Sequence, residues 1–173
     1  MKRETLKDRE REKAAAERWL ANSVYPIIDD CELEQQKEFS PHDFTLRYTK
    51  SNKVACLLEV KCRNVDHTRY PTLVVDKVKR KNILALAKDL NVPAFAIWHL
   101  TGDDVMYFID MAEEPDSEGT MEDARDYKGN RIITPVVHWS VERMQKTQDS
   151  EQTIKDYWDN MFQPLGDNNG DDI

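Results

Sequence analysis

The chain has 173 residues, 39% hydrophobic and 34% charged, with a formal net charge of −8. That composition suits one soluble domain, expected over residues 1–164, with an acidic disordered tail at 165–173. No apolar run approaches the roughly 20 residues of a membrane span and no signal-peptide pattern opens the chain, so membrane proteins are excluded and a cytoplasmic address is expected.

In chain order, MKRETLKDREREKAAAERWL is charged and helix-prone, and a first helix is expected roughly from Arg3 to Val24, ending before Pro26. IIDDCELEQQKEFSPH reads as an irregular acidic connection. DFTLRY alternates like a strand, TKSN reads as a turn, and VACLLEVKC is a second strand with a central apolar run. NVDHTRYPTL is expected to be a loop.

From about Val75 the period becomes helical, with Ile83, Leu86, Ala87 and Leu90 on one face, and Pro93 ends the helix. AFAIWHL and VMYFID follow as strands around the turn TGDD. Residues 111–130 suggest a long surface loop. RIITPVVHWS reads as a late strand or edge segment because Pro135 disfavours a central position. VERMQ and EQTIKDYWDNMF suggest helical pieces. The expected fold is a mixed β-sheet flanked by helices, in the order α-β-β-α-β-β; no GxGxxG or P-loop points to a nucleotide fold.

Cys31, Cys56 and Cys62 show no metal-binding spacing and are expected to be reduced thiols. The acidic total argues against a uniformly basic nucleic-acid binder. Positive charge is nevertheless concentrated between Lys61 and Lys88, so a basic face can coexist with it.

The chemistry concentrates in the first hairpin. Glu59 and Lys61 share one strand face, with Val60 on the other. A turn centred near Ser51 pairs residues whose numbers sum to about 102, which sets Asp43 opposite Glu59 to within one residue. Two carboxylates so placed repel each other unless a cation lies between them, and Mg²⁺ suits such oxygen ligands. On the following helix Lys77, Lys81 and Lys88 share an outer flank, whereas Lys79 falls on the apolar side and needs a carboxylate there.

SPHDF, LLEVKCR and the AER at Ala16, Glu17 and Arg18 resemble the PD-(D/E)XK nuclease superfamily over about residues 12–110, most nearly its branch of Holliday-junction resolvases and phage or restriction-type endonucleases. His42 separates Pro41 from Asp43, a departure from the family's Pro-Asp pair.

The resemblance implies a restriction-endonuclease-like α/β fold and a nuclease acting on DNA with Mg²⁺, for which Mn²⁺ substitutes. Asp43, Glu59 and Glu17 would hold the metal, with Glu12 in reserve, and Lys61 and Lys79 would complete the site. It points to an endonuclease more than an exonuclease, in DNA recombination or repair, working in the host cytoplasm if phage-encoded; a homodimer would be in keeping. Lys77, Lys81, Lys88, Arg63 and Tyr70 are the candidate DNA contacts. Two alternatives stay open: a nuclease-fold protein that binds or assembles on DNA without cutting, and an acidic protein-interaction module.

Overall fold

The computed structural model describes residues 5–24, 31–123 and 128–147. Helix α1 (Leu6–Trp19) opens on a capping box in which Thr5 and Asp8 satisfy each other's backbone N–H groups, and it runs on into a π-helical turn at Leu20–Val24. Its Ala15, Ala16 and Trp19 are buried. They lie against a sheet assembled from β1 (Cys31–Gln35), β2 (Phe44–Tyr48), β3 (Val54–Arg63), β5 (Ala94–Leu100), β6 (Val105–Asp110) and β9 (Gln145–Lys146), in that spatial order. Strands β3 and β5 are parallel and the other neighbours antiparallel.

The parallel pair needs a crossover, and β4 (Thr72–Asp76) with helix α2 (Lys77–Leu90) supplies it. Asp76 caps α2 by accepting from the N–H groups of Val78 and Lys79. Asn91 ends the helix in the left-handed region at φ 54°. A second sheet, β4–β8–β7 with β7 (Ser117–Asp123) and β8 (Ile132–Ser140), lies beside α2. Two apolar cores result. One joins α1 to Phe44, Leu46, Leu58, Val60, Phe95 and Phe108; the other joins α2 and the small sheet to Leu57, Ala96, Trp98 and Tyr107.

The core order α1-β2-β3-α2-β5-β6 is the expected one. Three segments read as irregular carry strands instead: β1 in the acidic connection, β4 at the end of the 64–73 loop, and β7 within 111–130. β1 and β7 are edge strands; β7 is almost wholly polar, and the short β1 turns only Cys31 and Leu33 towards the α1 core. The reading of β8 as an edge strand is also corrected, because β8 is central in its sheet. Pro135 is tolerated because β4 pairs with Val136–Ser140 and stops short of it, so among the described residues the strand's neighbour at Pro135 is Thr120 of β7 alone. VERMQ forms a 3₁₀ turn at Val141–Arg143 and the short β9 rather than a helix. The expected C-terminal helix at 151–162 and the acidic tail lie outside the described residues. Cys31, Cys56 and Cys62 are not joined in disulfides.

Candidate active site

The β2–β3 hairpin delivers the two acids. The turn fixes Arg47 opposite Val54, and a bulge then shifts the register so that Leu46 faces Cys56 and Phe44 faces Leu58. Ala55 is the additional residue: Ala55 and Cys56 both turn towards the α1 core, whereas Val54 and Leu57 turn towards α2. Without that residue the count from the turn would set Asp43 opposite Leu58. With it, the pair sum of 102 holds and Asp43 comes to the level of Glu59.

Strand pairing stops just there. Asp43 N still donates to Leu58 O, but the next free donor of β3, Val60 N, is taken by Asp43 Oδ2 at 2.8 Å. The carboxylate thus ends the ladder as well as facing the site.

Glu59 is 1% exposed, and both its oxygens meet lysines: Oε1 lies 2.9 Å from Lys61 Nζ and Oε2 2.6 Å from Lys79 Nζ. Lys79 Nζ also reaches Asp43 Oδ1 at 3.2 Å, so one ammonium bridges two carboxylates. Its position follows from β4, which runs straight into α2 and sets Lys79 in the first, Asp76-capped turn.

The charges divide unequally between the acids. Burial, then the neighbouring Glu59, pushes Asp43 up to about 7 against the pull of Lys79 and the Val60 N–H. Burial also works against the charge on Glu59, but Lys61 and Lys79 outweigh it and hold this carboxyl below its ordinary range. A proton shared by the pair therefore resides on Asp43. Burial disfavours the charge on Lys79, yet Glu59 and Asp43 more than restore it, and its pKa is raised.

His42 lies outside strand β2, because residues 41–43 are bends and strand alternation does not govern its side chain. His42 is buried, with Nε2 2.7 Å from Thr45 Oγ1, and burial lowers its pKa while Glu59 and Lys79 both act on it. Gln36 Nε2 donates to the same hydroxyl at 3.0 Å. The signal available in the sequence was the proline two residues before Asp43, which breaks strand geometry ahead of the acid.

Glu17 is not brought to the acids. It is exposed and pairs with Lys13 at 3.8 Å one turn back, on a helix that packs against the other face of the sheet. Glu12 lies near Cys62 and helps to raise that thiol, pushed up to about 11 chiefly by burial. Among the described residues no group of three or more metal-ligating side chains converges. Lys77, Lys81 and Lys88 are exposed as expected, and Lys77 pairs with Glu118 of β7 at 2.5 Å. Arg63 and Tyr70 are exposed beyond Lys61.

A family model described as "Phage putative PDDEXK endonuclease" matches residues 1–147. The chain belongs to that family. Its fold is similar to a Holliday junction resolvase, Hjc, of Archaeoglobus fulgidus, at a TM-score of 0.42 and 10% identity, over 73% of this chain and 84% of that one. It is also similar to a nuclease from a fusselovirus, at a TM-score of 0.47 and 12% identity, over 88% of this chain and 93% of that one. No curated protein sequence matches it.

Proposed function

We propose that this PDDEXK protein is a metal-dependent deoxyribonuclease, an endonuclease, in which Asp43 and Glu59 hold Mg²⁺, with Mn²⁺ able to substitute. The observation that carries this reading is the bridging of Asp43 Oδ1 and Glu59 Oε2 by the single Nζ of Lys79. Two carboxylates that share one internal cation are arranged to receive a stronger one. Their hard oxygens suit Mg²⁺, which is often held by one or two carboxylates and completed by water and phosphate.

When bound, the metal supplies Lewis-acid polarisation of the phosphodiester and lowers the pKa of the attacking water. The chain's own groups do the rest. Glu59, charged and fixed on a central strand, presents its oxygens without reorganisation. Asp43 must give up its proton to serve as a ligand, and the Val60 N–H favours its charged form. Lys61, two residues along the same strand face, donates to the negative charge that grows on the phosphorane. Lys79 holds the two carboxylates together before the cation arrives and then offers its ammonium to the substrate. His42, Thr45 and Gln36 form a hydrogen-bonded group behind the acids. Lys77, Lys81, Lys88, Arg63 and Tyr70 are the groups proposed to meet DNA, whose backbone a basic flank engages without reading sequence. Glu17 has no part in this arrangement.

The test is a cleavage panel of linear, nicked, flapped and four-way DNA with Mg²⁺ and Mn²⁺, run beside Asp43→Ala and a calorimetric metal titration. Metal binding and cleavage by the wild type, both lost in the variant, support the reading. Metal binding without cleavage of any substrate would leave a DNA-binding relative with a silent site. No metal binding at all would return the chain to the class of acidic interaction proteins.

A further inference from the structure

Past Lys61 the same strand face continues to Arg63, about 7 Å further along. There β2 has already ended, and among the described residues β3 keeps a strand neighbour only in β5. Beyond this point opens a cavity of about 430 Å³ whose lining includes Arg63, Tyr70, Thr72, Val74, Trp98 and His138. Its position relative to the proposed site is fixed by strand pairing: Trp98, in the cavity wall, is the direct partner of Lys61 on β5.

The cavity is built from pinned parts. Thr101 N donates to Arg63 O at 2.8 Å and Gly102 N to Val65 O at 3.1 Å, tying the 64–71 loop to the β5–β6 turn. Only glycine fits at 102, where a Cβ would lie 2.6 Å from the Val65 carbonyl carbon and 2.8 Å from Asp66 N. On the opposite wall His138 Nδ1 shares a hydrogen bond with Thr72 Oγ1 at 3.3 Å, and its ring lies over Gly119, where a Cβ would approach Nε2 to 3.0 Å.

The chemistry of the lining separates phosphate from base. The walls are mainly apolar, with Val74, Val136, Met121 and the Trp98 ring, and phosphate would gain little there. Charge sits at the mouth, where Arg63 is exposed and Arg69 stacks over the Tyr70 ring at 5.8 Å. A flat heteroaromatic group with a polar edge fits these walls, with Tyr70 half-exposed at the rim for stacking and Thr72 and His138 for the edge.

Resting on the nuclease reading above, we infer that this cavity takes one unstacked nucleobase from the nucleotide beside the scissile phosphate. The substrate class is accordingly DNA that offers an unpaired base next to the cut: a flap, a mismatch or a strand end. A base inside an intact duplex must first be unstacked, and that cost is least where it is already unpaired.

The experiment compares three oligonucleotide duplexes by fluorescence anisotropy in EDTA: continuous, carrying a one-nucleotide flap, and carrying the same flap with an abasic sugar. The wild type is expected to bind the base-bearing flap about tenfold more tightly than the abasic one, the scale of one base–aromatic stack. Val74→Trp, which fills the cavity, and Tyr70→Ala, which removes the exposed ring, should each bring that ratio close to one. Equal wild-type affinity for the base-bearing and abasic flaps overturns the inference, as does a ratio that both variants leave intact. The underlying reading fails separately, if the wild type cleaves none of the three when Mg²⁺ is added.

Discussion

The two faces of β3 differ in kind. Towards α1 the strand presents Cys56, Leu58 and Val60, all buried, against Ala15, Ala16 and Trp19. Towards α2 it presents Leu57 and then Glu59 and Lys61, with Lys79 and Asp43 closing over them. One face is ordinary core. The other holds a fully buried carboxylate, tolerable because two ammonium groups neutralise it, since a buried charge without partners costs several kcal/mol. Along β3 itself the apolar contacts lie mainly towards α1 and the proposed chemistry towards α2, so substitutions on the two sides should fail in different ways.

The largest effect should come from the polar face. Glu59→Ala is expected to reduce metal-dependent DNA hydrolysis by at least about a thousandfold, or some 4 kcal/mol of transition-state stabilisation. It should also abolish calorimetric Mg²⁺ binding while the circular dichroism spectrum stays native. Retained cleavage would sink the assignment of this residue.

Trp19→Ala is the matching break on the apolar face. Trp19 is 0% exposed and packs on Phe95 and Phe108 at ring-centroid distances of 5.7 Å. Its loss should cost about 3–5 kcal/mol in denaturant unfolding, with metal affinity unchanged in the folded fraction. A selective loss of metal affinity would show that the two faces are not independent.

That contrast also explains what was legible in the sequence. The core strands and α2 announced themselves through apolar periodicity, because their faces are buried. The pairing of Asp43 with Glu59 was legible as well, but only because the hairpin count agreed with a register that the Ala55 bulge completes. Lys79 stood out as a lysine on an apolar helix face, a local inconsistency of the kind that marks functional sites. β1 and β7 were hidden because they are short or polar edge strands, and β4 because its partner β8 is distant in sequence. β4 is the costliest of these omissions, since it carries α2 to the acids. Glu17 was placed by motif order alone, which does not say which face of a sheet a helix covers.

The protonation of Asp43 sharpens the comparison by pH. Its folded pKa, about 7, lies above the ordinary aspartate value of 3.8. In the metal-free protein its contribution to stability is therefore fully present below about pH 4 and is lost as pH rises through 7, because the folded state holds the proton longer than the unfolded state. Asp43→Asn should remove this slope and raise Tm at pH 8 by about 5 °C, the scale of 1–2 kcal/mol for a domain of this size. Mg²⁺ affinity of the wild type should run the opposite way, rising about tenfold per pH unit up to 7 and levelling beyond it, since the metal must displace that proton. Thermal melts and metal titrations between pH 5 and 9 measure both. A wild-type melting curve that does not fall between pH 5 and 7 relative to Asp43→Asn would place the proton elsewhere.

The smallest effect is expected at Glu17, the residue that the family pattern would make a third ligand. Its side chain is 57% exposed and its pairing with Lys13, one turn away, is of the solvent-screened kind. Such i,i+4 pairs contribute about 0.3–0.5 kcal/mol, so Glu17→Ala should shift stability by no more than that. Across β3 from the acids, Glu17 would have to pass the buried Ala16–Trp19 packing to reach the metal site. Mg²⁺ affinity and turnover should accordingly stay within twofold of wild type. A tenfold loss of affinity in Glu17→Ala, with Glu12→Ala unaffected, would mean that α1 repositions when metal binds, and the separation between the two faces of β3 would then hold only for the metal-free state.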